Sequence, residues 1–77
     1  MKQTGDLRVA PPVWRQPDGA KVSCEEKIRV LHENLAEIEE MAQDALEDAV
    51  LMGCDEAQFR AYLEALVAAL ENPYRKP

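Results

Sequence analysis

SCEEKIRVLHENLAEIEEMAQDALEDAVLMG, residues 23–53, carries the longest apolar periodicity in the chain. It holds no proline, and its only glycine is the last residue. Cys24, Ile28, Leu31, Leu35, Ile38, Ala42, Ala45, Ala49 and Met52 recur at steps of four and three. That spacing predicts one long amphipathic helix over about 24–52, with a single apolar seam that needs a partner surface. Ser23 and Glu26 have the spacing of a capping box at its start, with Val22 placed as a hydrophobic staple. Gly53 suits a left-handed residue just past its end.

Working outward toward the C-terminus, Asp55 and Gln58 repeat the capping-box spacing. Phe59, Tyr62, Leu63, Leu66, Val67 and Leu70 follow at helical intervals. They predict a second helix over about 56–71, ended by Asn72-Pro73, because the residue before proline is pushed out of helical geometry. A linker of about two residues makes the pair an antiparallel hairpin. The second helix is about half the length of the first. It can therefore cover only the alanine-lined half of the seam, returning to the level of about Ile38, and leaves Ile28, Leu31 and Leu35 without a partner in their own hairpin. A two-helix hairpin of this size buries little apolar surface. The expectation is therefore an all-α homodimer, two hairpins forming a four-helix bundle, with Ile28, Leu31, Leu35 and Ile38 as the dimer interface.

Toward the N-terminus, residues 1–22 read as an extended arm containing Pro11, Pro12 and Pro17, with Pro17-Asp18-Gly19 as a turn. The domain reading is an arm over 1–22, a helical hairpin over 23–73 and a short basic tail over 74–77. Leu7, Val9, Val13 and Trp14 make the arm too apolar for a solvated tail. Trp14 is expected to dock on the helices as a lid or, with Arg15, to anchor a protein partner, since these residue types often anchor interfaces.

Charge narrows the function. The chain of 77 residues carries a net charge of −6, distributed as +2 over 1–22, −7 over 23–54, −3 over 55–73 and +2 over 74–77. An acidic body repels phosphate backbones, which argues against nucleic acid. Met1–Asp6 has no apolar signal region and no run has the 18 apolar residues of a membrane span, so the expectation is a cytoplasmic protein with no membrane partner. Glu33, Glu37, Glu40 and Asp44, with Glu26 and Glu47, fall opposite the seam. They read as a solvated acidic face that an unidentified protein partner could recognise.

Catalytic and metal chemistry find little footing. His32 is the only histidine and stands at the border of the seam, with no residue spaced to activate it in a triad. Position 29 is Arg where a di-iron bundle would need Glu in a Glu-x-x-His pair. Cys24 and Cys54 have no partner at zinc-ligand spacing and read as reduced thiols. The expected function is a small acidic interaction module, a homodimeric accessory or regulatory protein with no enzyme activity, cofactor or metal. The alternative is a metal- or cofactor-associated bundle with its site at the oligomer interface.

Overall fold

The computed structural model describes residues 7–75, which are all-α, with two helices and no strand. The expectations for Met1–Asp6, Lys76 and Pro77 lie outside the described residues. Helix α1 spans Glu25–Leu51 and α2 spans Glu56–Ala68. The chain divides into two compact units, one ending at Gln43 and the other beginning at Asp44.

In the first unit the arm is built rather than merely extended. Gln16 N–H donates to Ala20 O at 2.7 Å, Gly19 N–H donates to Gln16 O at 2.8 Å and Val22 N–H donates to Trp14 O at 2.9 Å. With the antiparallel bridge between Arg15 and Lys21, these bonds make a tight reversal over 14–22. Pro17 and Asp18 form its corner and Gly19, at φ +93°, takes the left-handed position that a three-residue loop requires. Asp18 Oδ1 also accepts from Ala20 N–H at 3.0 Å. The reversal ties Trp14 to Val22, and both are half-buried.

Helix α1 begins one residue later than the capping-box spacing implies. Ile28 N–H donates to Cys24 O at 3.1 Å, which makes Cys24 the cap residue, and the Glu26 carboxylate turns to Arg29. Along the first unit Ile28, Leu31, His32, Leu35 and Glu39 are half-buried, and Ala36 is 2% exposed. Ile38, expected on the inward seam, is 62% exposed. Cys24 is also exposed.

The second unit is the helical hairpin. Its turn is a Schellman motif: Cys54 N–H donates to Ala49 O at 2.9 Å and Gly53 N–H donates to Val50 O at 3.0 Å, with Gly53 at φ +95°. Asp55 caps α2, its Oδ2 accepting from Gln58 N–H at 2.9 Å. Ala49, 3% exposed, is the one buried residue among those described in this unit, and Ala45, Leu46, Phe59 and Leu63 are half-buried. Met52, expected at the end of the seam, lies in the turn and is exposed.

Helix α2 stops at Ala68, three residues short of its expected end. Ala69 N–H is shared between Ala65 O and Leu66 O, and Leu70 N–H donates to Val67 O at 3.2 Å. The last turn thus tightens to i→i+3 bonds well before Pro73. Asn72 Oδ1 accepts from Tyr74 N–H at 2.8 Å, which commits it to a turn rather than a helix.

Candidate interaction surfaces

The first surface is where the arm meets α1. His32, Leu35, Ala36 and Glu39 lie at i, i+3, i+4 and i+7, so they share one helix face. Trp14 Nε1–H donates to His32 Nε2 at 2.8 Å, with ring centroids 6.2 Å apart and planes tilted by 52°. An indole nitrogen can only donate, so His32 accepts as a neutral imidazole with its proton on Nδ1. Two turns further along the same face, Arg8 N–H donates to Glu39 Oε2 at 2.8 Å. Between these two attachments lies an apolar hollow of about 270 Å³ walled by Leu7, Val9, Pro11, Pro12, Leu35 and Ile38. Ala36, on the same helix face, is buried.

Of the residues expected to meet a partner, Trp14 is half-buried on His32, and Arg15 directs Nη1 to Gly19 O at 3.1 Å. Glu33, Glu37 and Glu40 are exposed. Arg29 crosses this acidic face, with Nη1 on Glu33 at 2.7 Å and Nη2 on Glu26. The Glu26 carboxylate, then Glu33, pushes the guanidinium pKa above its ordinary value. Asp44, in the second unit, is exposed. Of the expected dimer residues, Ile28, Leu31 and Leu35 are half-buried and Ile38 is exposed.

The second surface belongs to the hairpin unit. Tyr62, Leu66, Val67 and Leu70 extend the face that begins at Phe59 and Leu63, and all four are exposed. A hollow of about 250 Å³ lined by Cys54, Gln58, Phe59 and Tyr62 opens at the turn end. Both cysteines are free and exposed.

The pairing of Trp14 with His32 is a feature that sequence reasoning missed. The available signal was the occurrence of a single indole in the arm and a single imidazole at the border of the seam. Among the described residues no group of three His, Cys, Asp or Glu side chains is placed to hold a metal ion. No helix among them is long and apolar enough to cross a membrane. The chain matches no known family, no curated protein and no solved structure.

Proposed function

We propose that the chain is a small acidic helical interaction module, without catalytic activity, that works as a homodimer and serves as an accessory or regulatory subunit to another protein. One observation carries this reading. Ala36 and Ala49 are the only buried hydrophobic residues among those described, while Tyr62, Leu66 and Val67 of α2 are exposed. Two alanines are not a core, and burying a single Leu or Phe is worth about 1.5–3 kcal/mol. Association with other helices is the direct way to recover that energy, and a second hairpin completes a four-helix bundle.

The outward acidic side chains and the docked arm remain on the outside of such an assembly and are the features offered to a protein partner. Free, exposed cysteines suit a reducing compartment, which supports a cytoplasmic setting. Sedimentation velocity over a hundredfold concentration range tests the reading. A dimer at micromolar concentration is expected, and a stably helical monomer throughout the range would refute it.

A further inference from the structure

We propose that the arm over 7–22 is exchanged between copies, so that in the homodimer the arm of one chain lies on α1 of the other. This rests on the homodimer reading above and names the segment through which the two chains join.

The structure already seats this occupant on this face. Trp14 Nε1–H donates to His32 Nε2, and Arg8 N–H donates to Glu39 Oε2. The two bonds reach α1 on either side of Leu35, which walls the hollow together with Leu7, Val9, Pro11 and Pro12 of the arm. A helix of a second copy that approached Leu35 would displace the arm and lose both bonds. Exchange keeps both, now between chains. Each chain gives one arm and receives one, which closes a two-fold pair with no arm or face left over.

The arm is built to move as one piece. The bonds that tie Gln16 to Ala20 and Trp14 to Val22, with the bridge between Arg15 and Lys21, are internal to the reversal. It therefore reaches another chain already shaped. Ser23 and Cys24, both exposed, join it to α1. The bond from Ile28 N–H to Cys24 O lies beyond Ser23, so a change of backbone direction at Ser23 leaves the bonds of the reversal and of the helix in place. Closed and exchanged forms share the same contacts. The tether favours the closed form at high dilution, so exchange grows with protein concentration.

Trp14 is the chain's only tryptophan, so two variants refolded together report exchange. Trp14→Ala keeps the His32 face and has no indole, while His32→Ala keeps the arm and lacks the acceptor. All tryptophan emission of the mixture comes from the arm of His32→Ala. With exchange, excess Trp14→Ala should return that emission to shorter wavelength and lower its acrylamide quenching severalfold, toward the unaltered chain. A spectrum that stays that of His32→Ala alone, while sedimentation shows mixed dimers, overturns exchange and leaves the homodimer standing. The unaltered chain supplies a second readout, by refolding nitrogen-15-labelled and carbon-13-labelled copies together. Isotope-filtered nuclear Overhauser effects between the Trp14 indole of one label and the His32 ring of the other support exchange. Effects confined to one label at concentrations where the chain is dimeric overturn it. A monomer at every concentration overturns exchange and homodimer together.

Discussion

Trp14 Nε1–H and His32 Nε2 meet at 2.8 Å across 18 residues of chain, joining the arm to the middle of a helix face that also receives Arg8 at Glu39. The backbone bond from Val22 to Trp14 holds the indole in place from behind. The arm is therefore fastened by a few specific polar bonds laid over modest apolar contact. A net contribution of about 0.5–1.5 kcal/mol is ordinary for one such bond, so its loss should loosen the arm without unfolding α1.

His32→Ala should accordingly shift Trp14 emission to longer wavelength and raise its quenching by acrylamide, with helicity by circular dichroism nearly unchanged. An unaltered emission spectrum would mean that the indole is held by packing alone.

The hairpin turn should be sensitive at two positions for different reasons. Gly53→Ala meets no neighbouring atom, so its cost is that of the left-handed backbone alone, about 1–2 kcal/mol. Asp55→Ala removes the acceptor for Gln58 N–H and should cost about 1 kcal/mol. Urea titrations measure both. The two changes sit on either side of Cys54 and share one turn, so the double variant need not be additive.

Much of the helical framework was legible from residues that act locally. Gly53 and Asp55 fix the turn by backbone conformation and capping, which depend on near neighbours. The seam was legible only as a pattern. Periodicity places Ile38 on the apolar side but cannot say which part of that side the arm covers, and the arm is bonded at His32 and Glu39 instead. Cys24 and Met52 fit the period yet lie at the helix ends, where the chain has already turned away. The end of α2 was overestimated because Pro73 sets only a latest stopping point, and Asn72 is drawn into a turn with Tyr74. The reversal over 14–22 had its signal in Pro17-Asp18-Gly19, but its consequence, the delivery of Trp14 to a histidine, depends on contacts far apart in sequence.

The proposed association would complete this fold, and it makes thermal unfolding depend on protein concentration. Folding coupled to dimerisation makes the midpoint rise with protein concentration by mass action. Circular dichroism melts over a hundredfold range of concentration should show a midpoint several degrees higher in the concentrated sample. A cooperative melt with the same midpoint at every concentration would contradict the account.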